Sequence, residues 1–579
     1  MSAPRRKRTR AQKRPGLTRR TFLKGLGIGS LVGASSATLT GCGGQNSVSG
    51  GNGTRSNPNE VATQKVQFLH GVASGDPTAS AVMLWTRITP EQASSTVLGE
   101  VNVYSDAGLK LLVKTLDFST SASRDFTVKL DCTGLSADTV YFYQFLSNGV
   151  RSPVGRTRTM PAASNKRALN LGLVSCSSMP HGFFNAYAQL AKRTDLDAVV
   201  HLGDYIYEYG DGEYGSLRAC EPATEILTLS DYRTRHGQYK KDVDLMALHA
   251  QVPFITIWDD HESADNSYTN GANNHTEGTE GVWAQRKAAA QKAYDEWMPI
   301  RLPEAGNPNK IFRKIPLGGL ADLVLLDTRL YDRDQDASTP INPLEGNASN
   351  GERTMIGEEQ FNFLINNLRA STTPWKLVGN QVVFHQWIIK PGLNNPAPGP
   401  VNDVLAPSGL NGDSWDSYGA ERQRIINALR GSDGGAPINN VVILTGDVHS
   451  AWVADITDNP NVPISQLGGY NPLTGDGSVA VEFVVTSVTS PGLPIPDEVV
   501  QAIRLTSPHI KHVKMSERGY SLLKVTEEKV VCEYWAVSTI TERGGSERLS
   551  ASFEVLKDAN HISPQLPALP GPLAGLLPL

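Results

Sequence analysis

Along much of the chain after residue 167, short apolar runs recur, and five of them stop at a polar cluster. Leu171-Gly172-Leu173-Val174-Ser175 leads to Cys176, and the run Ala198 to Leu202 leads to Asp204 and Tyr207. Phe254-Ile255-Thr256-Ile257-Trp258 leads to Asp259-Asp260-His261-Glu262. Trp375 to Gly379 leads to Asn380, and Val441 to Gly446 leads to Asp447 and His449. Runs this short and apolar read as buried strands, and the helical stretches between them predict an α/β architecture over residues 167–557. Open α/β sheets hold their ligands beyond the carboxyl ends of the strands. One strand ending in Gly-Asp is an ordinary turn. Five strands ending in metal-ligand residue types predict one shared site.

The pattern before residue 160 is different. Ser80 to Ile88 reads as a buried strand, Val101-Asn102-Val103-Tyr104 alternates, and so do Phe126, Val128 and Leu130. Thr139 to Phe145 is dense in aromatic and β-branched residues, and turn residues such as Gly75-Asp76-Pro77 and Ser147-Asn148-Gly149 punctuate the region. Residues 61–160 are therefore expected to form a small all-β sandwich of the fibronectin or immunoglobulin kind, with no catalytic cluster. Further on, Glu358 begins a helix that ends before Pro374, and Val479–Thr486 and Tyr520–Trp535 supply late strands. Residues 558–579 form a Pro/Leu-rich tail whose prolines exclude an ordinary membrane helix.

With 579 residues, the chain exceeds a single core. Its net charge of −4 conceals an asymmetry, because residues 1–42 carry ten Lys and Arg and no acid. Without them 44 basic residues face 58 acidic ones, a surface that argues against nucleic acid as a partner and suits cations. Thr18-Arg19-Arg20-Thr21-Phe22-Leu23-Lys24, followed by a mildly apolar run to Leu39, resembles a twin-arginine export signal. Leu39-Thr40-Gly41-Cys42 resembles a lipobox with Cys42 as the acylated residue, and residues 43–60 read as a flexible tether behind it. The expected location is extracytoplasmic, with the twin-arginine machinery as partner and the membrane touched only through the lipid. Cys132, Cys220 and Cys532 remain after Cys42 and Cys176, too few for a disulfide framework.

Six segments occur in an order that resembles the binuclear metallophosphoesterases, and among them the PhoD-like alkaline phosphatase/phosphodiesterase family, relatives of the purple acid phosphatases. They are Gly71 to Pro77, Ser175-Cys176, Gly203-Asp204-Tyr205-Ile206-Tyr207, Trp258 to Glu262, Leu326-Asp327-Thr328-Arg329 and Thr445-Gly446-Asp447-Val448-His449. The resemblance implies a four-layer β-sandwich flanked by helices. It also implies a ferric ion with one or two calcium ions, and hydrolysis of phosphomonoesters, with phosphodiesters expected as well, by attack of a metal-bound hydroxide.

The residues agree with that implication. Cys176, Tyr207 and His449 are donors suited to iron, whereas Asp260, Asn380 and Asp447 offer the oxygens calcium prefers, with Asp204 as the bridge. His261 is the catalytic candidate, donating to the phosphate or to the leaving alkoxide. Asp259 competes with Asp260, since strand geometry would aim adjacent side chains to opposite faces. Gln381 competes with Asn380. Arg329 reads as a partner of Asp327 or Asp332 and stays outside the catalytic set. Two other functions fit the same chain: a phosphodiesterase or phospholipase D-like enzyme acting on wall-polymer or lipid head-group diesters, and a non-catalytic, calcium-stabilised surface binding protein.

Overall fold

The computed structural model describes residues 65–92, 96–337, 350–387, 412–458, 460–462, 469–492, 504 and 507–564. The leader, Cys42, the tether and residues 565–579 of the tail lie outside these.

Two large sheets form the body. In the first, Leu169–Val174, Ala198–His201 and Phe254–Thr256 run parallel. The antiparallel strands Gly519–Val525, Lys529–Val537 and Glu547–Leu556 extend it on one side. In the second, Ala321–Leu325, Trp375–Gly379, Val441–Thr445 and Ala480–Val484 run parallel. Arg313–Leu317 closes one edge, and Ala451–Ile456 with Ile510–Lys514 the other.

Alternation within the second sheet sorts its residues between two cores. Leu323, Leu325, Leu377, Val442 and Leu444 join a cluster with Leu171, Leu173 and Val199 of the first sheet, so the two sheets pack face to face. Val324, Val378, Val441 and Ile443 face the other way, onto Leu364 and Leu368 of the helix Gly357–Ala370 and Ile425 and Leu429 of the helix Gly419–Arg430. The helices Asn185–Ala191, Val243–Gln251 and Trp283–Trp297 pack on the first sheet through Leu190, Leu245 and Tyr294. The result is a helix–sheet–sheet–helix sandwich. Each predicted strand before a polar cluster forms, as does the helix expected from Glu358.

The N-terminal region is less separate than its composition suggests. Val72–Gly75, Ala81–Arg87 and Thr127–Thr133 continue the first sheet beyond Phe254–Thr256, Gly75 pairing with Phe254. A smaller sheet of Leu112–Thr120, Val97–Tyr104, Val140–Ser147 and Gly155–Arg158 packs on them through Val101, Val103, Phe145 and Leu84. Residues 65–160 thus hold two packed sheets, one of which belongs equally to the larger body. Asp76, from a segment that reads as a turn, is buried and pairs with Arg313 at 2.7 and 2.9 Å, tying the region to the second sheet's edge strand. The cysteines among the described residues, Cys132, Cys176, Cys220 and Cys532, are all buried and free.

Burial also fixes an acid-side weakness. His236 stacks on Trp297 with centroids 6.3 Å apart, and neither of its nitrogens has a hydrogen-bond partner among the described residues. Burial, helped by nearby Arg87, Lys240 and His385 respectively, holds the rings of His70, His236 and His509 at about 3 rather than 6.5. Unfolding releases these rings to water, where they take up protons as the pH falls through the ordinary imidazole range. Their contribution to stability is therefore complete above pH 6.5 and is lost towards pH 3, each ring adding a slope of up to about 1.4 kcal/mol per pH unit. Equilibrium denaturation between about pH 7 and about pH 5 measures this slope, and His236→Phe flattens it by one ring's share.

Candidate metal centre

Every polar cluster singled out in the sequence lies beyond a parallel strand, and most of their side chains converge at the shared carboxyl edge of the two sheets. The turns are tight. Cys176, Asp204, Asp447 and His449 adopt positive φ of 59°, 56°, 63° and 55°, a conformation that non-glycine residues hold only where the surroundings over-determine it. Gly203, at φ 100°, packs so closely that a Cβ would stand 2.6 Å from the backbone nitrogen of Asp259. Glu262 is buried and locks two of the loops together. Its carboxylate accepts the backbone N–H groups of Asp204 at 3.0 Å, Tyr205 at 2.7 Å and Asp259 at 2.9 Å.

Two ligand groups result. In the first, donor atoms of Cys176, Asp204 and His449 lie within 4.8 Å of one another. The Tyr207 hydroxyl joins them, 2.8 Å from Asp204 Oδ2 and 3.1 Å from His449 Nε2. His449 Nδ1 sits 2.8 Å from the carbonyl of Pro491, which leaves Nε2 to face the group. Ser490 Oγ lies 2.6 Å from the Tyr207 oxygen. In the second group Asp259, Asp260 and Asp447 lie within the same distance, and a third combination, Asp204 with Asp260 and His261, joins the two.

This donor set suits cations. Burial, reinforced by the Asp204 carboxylate, pushes the Cys176 thiol and the Tyr207 phenol well above their ordinary values. Burial likewise raises the Asp204 and Asp259 carboxyls well above theirs. A concentration of buried anionic ligands is costly unless positive charge faces it. Asp204 Oδ1, Asp259 Oδ2 and His261 Nε2 are buried with no hydrogen-bond partner among the described residues. For His261, burial opposes protonation, but the carboxylates of Asp260, Asp204 and Glu208 outweigh it and raise the ring well above 6.5.

Four other residues named in the sequence, Asn380, Gln381, Asp259 and Asp260, are placed as follows. Asn380 is hydrogen-bonded within the loops: its Oδ1 accepts from Trp415 Nε1 at 3.1 Å, and its Nδ2 donates to Thr445 Oγ1 at 3.0 Å and to the Val382 carbonyl. The alternative, Gln381, is also committed, to the Thr328 backbone N–H and hydroxyl and to the Leu326 carbonyl. Both amides brace the loops. Asp259 and Asp260 need not be opposed, because the strand ends at Thr256 and the chain beyond it turns both carboxylates into the second group.

Arg329 departs furthest from its expected role. Only its backbone N–H meets Asp327; its guanidinium, fully buried, spans the acidic group. Nε pairs with Asp259, Nη1 with both oxygens of Asp413 at 2.6 and 2.8 Å, and Nη2 lies 3.2 Å from Asp447 and 3.5 Å from Asp260. Asp413, held on its other side by Arg333, belongs to no sequence motif and carried no signal. Glu208 carried none either, although it is the next residue after Tyr207.

A four-layer α/β sandwich with two adjoining groups of buried candidate ligands at its sheet edges defines a metallophosphoesterase, a class of phosphoric ester hydrolase. More narrowly, the chain belongs to the PhoD-like phosphatase family. The family model described as PhoD-like phosphatase matches residues 171–534, and the model of that family's N-terminal domain matches residues 53–161. Alkaline phosphatase D of Bacillus subtilis (strain 168) is 35% identical over 505 residues, which cover 85% of this chain and 81% of that protein. The solved structure of PhoD matches with a TM-score of 0.76 at 33% identity, over 88% of this chain and 93% of that one. A purple acid phosphatase from yellow lupin seeds, 12% identical with a TM-score of 0.52 over 84% of this chain and 73% of that one, shares the fold. No helix among the described residues is long and apolar enough to cross a membrane.

Proposed function

We propose that this protein is an exported phosphatase that hydrolyses phosphomonoesters, and phosphodiesters as well, with a ferric ion in the first ligand group and calcium in the second. The reading is carried by one observation: Cys176, Asp204, Tyr207 and His449 close around one point while Asp259, Asp260 and Asp447 close around a neighbouring one. Thiolate, phenolate and imidazole donors favour iron, and an all-carboxylate group favours calcium. Bound there, the cations would supply electrophilic activation of the phosphoryl oxygens and of the attacking water. The chain's own residues do the rest. Asp204 and Asp260 link the two groups, Glu262 and the loop backbones hold them in place, and His261 presents Nε2 to the reacting atoms. Water adds to phosphorus as the bond to the leaving oxygen breaks, His261 gives that oxygen its proton, and the proton released from water passes through solvent to restore the ring.

Export rests on the twin-arginine segment around Arg19 and Arg20, and anchoring on Cys42. The test is the visible spectrum and metal content of the full chain purified after native export, before and after Tyr207→Phe. A phenolate on ferric iron absorbs visible light. The parent is expected to be coloured and to hold iron and calcium, and the variant to lose the band. Colourless parent protein containing zinc, or calcium alone, removes the assignment. The mass of the same preparation's N-terminal peptide checks the leader: it begins at a lipidated Cys42 if the anchor is present.

A further inference from the structure

We infer that Glu208 is a positioning residue for His261, fixing the ring so that Nε2 addresses the reacting atoms. The inference rests on the phosphoesterase reading. Both side chains are buried, and His261 Nδ1 lies 2.7 Å from Glu208 Oε2. The other oxygen, Oε1, accepts from the Asp265 backbone N–H and from Asn274 Nδ2, each at 2.9 Å. Asn274 is itself tied to Glu225, which pairs with buried Arg286 at 2.8 Å. The carboxylate is thus occupied at both oxygens by the fold and by His261, so its part in the site is indirect.

Two restraints define the imidazole. Its plane is set by stacking against Tyr207, with centroids 4.2 Å apart and planes 30° from parallel, and against Tyr214 at 6.2 Å and 22°. Stacking leaves open the half-turn about Cβ–Cγ, which keeps the plane, and the bond from Nδ1 to Glu208 removes it. Nε2 then stands among Asp204 and Asp260 with no hydrogen-bond partner among the described residues. The same pair keeps a proton at Nδ1, because a carboxylate can only accept there, so the proton given to the leaving oxygen is the one that Nε2 carries. Tyr207 and Glu208 are adjacent, so one loop supplies a metal-centre candidate and the restraint on the catalytic ring.

The test uses the full chain and the variants Glu208→Gln, His261→Asn and their combination, assayed at matched metal content on phenyl phosphate and 4-nitrophenyl phosphate. In Glu208→Gln the kcat on phenyl phosphate, the poorer leaving group, is expected to fall about tenfold or more, with KM within about twofold of the parent. The loss is expected to be smaller on 4-nitrophenyl phosphate. In the His261→Asn background, Glu208→Gln is expected to have no further effect, as for residues acting as one unit. Should Glu208→Gln fail to fold, Asn274→Ala takes its place. It keeps the carboxylate, removes one of its supports and is expected to give a weaker loss of the same kind. Equal losses on both esters, or effects of Glu208 and His261 that multiply, overturn the inference while leaving the phosphoesterase reading in place. A parent chain that hydrolyses neither ester overturns both, since the ring then has no reaction to serve.

Discussion

Replacing Asp204 by Asn is expected to lower ester hydrolysis by about a thousandfold or more, a loss of roughly 4 kcal/mol of transition-state stabilisation. Asp204 is the residue common to the first ligand group and to the combination that joins it to Asp260 and His261. Its Oδ2 faces the Tyr207 hydroxyl at 2.8 Å and His449 Nε2 at 3.7 Å, while its Oδ1 has no hydrogen-bond partner among the described residues. Asn keeps the shape but removes the charge and points an amide donor where an acceptor is required. The variant should therefore bind less metal, which elemental analysis measures directly. Its stability should move the other way when metal is removed. Burial holds the Asp204 carboxyl well above its ordinary value, so an uncompensated charge at this position costs stability that a neutral amide does not. Thermal melting in the presence of a chelator is expected to show Asp204→Asn more stable than the parent, and melting with cations restored to show it less stable. A variant that retains full activity and metal would remove Asp204 from the centre.

The second large effect concerns stability. Arg329→Met should destabilise the chelated protein by about 3–5 kcal/mol, because it leaves buried carboxylates without their counter-charge. The Arg329 guanidinium is enclosed by Asp259, Asp260, Asp413 and Asp447, all of them buried. Nε and Nη1 serve different carboxylates at once, which a single ammonium cannot do, so Arg329→Lys is expected to restore only part of the loss. Adding calcium should return a further part, since a cation among Asp259, Asp260 and Asp447 offsets the same charge. Denaturant titrations of both variants with and without calcium measure these differences. A change within about 1 kcal/mol for Arg329→Met would show that the guanidinium is not the counter-charge its contacts describe.

Much of the frame was legible before the fold was known. The runs ending at Ser175, Leu202, Trp258, Gly379 and Gly446 are apolar because strands buried between a sheet and a helical layer need apolar residues on both faces. The loop after such a strand emerges at the sheet's edge, so the residue types beyond each run forecast the chemistry gathered there. Cys176, Asp204, Tyr207, His261 and His449 are singled out in this way, and the structure brings their side chains together. Asn380 shows the limit of that logic, because being next after a strand sets a residue's location but not its direction. Its amide turns to Trp415 and Thr445, partners 35 and 65 residues away. Arg329 was misjudged because two acids close to it in the chain, Asp327 and Asp332, offered ready partners. Its actual partners lie 69 to 118 residues distant, in loops that only the assembled sheets bring near.

The amino-acid sequence alone indicated where the buried strands lie, which donor types follow their carboxyl ends, and an export-like pattern in its first 42 residues. These are properties of neighbours along the chain, carried by apolar period, turn residues and motif spacing. Tertiary structure alone decided which donors share a centre, that Val72–Gly75 and its neighbours extend the first sheet, that Arg329 stands among the acids, and that Glu208 holds His261. Those outcomes depend on single backbone angles, such as the positive φ at Cys176, Asp204, Asp447 and His449, and on pairings between distant segments. Neither leaves a local periodic trace, because the energy that fixes them comes from packing and charge balance across the completed core.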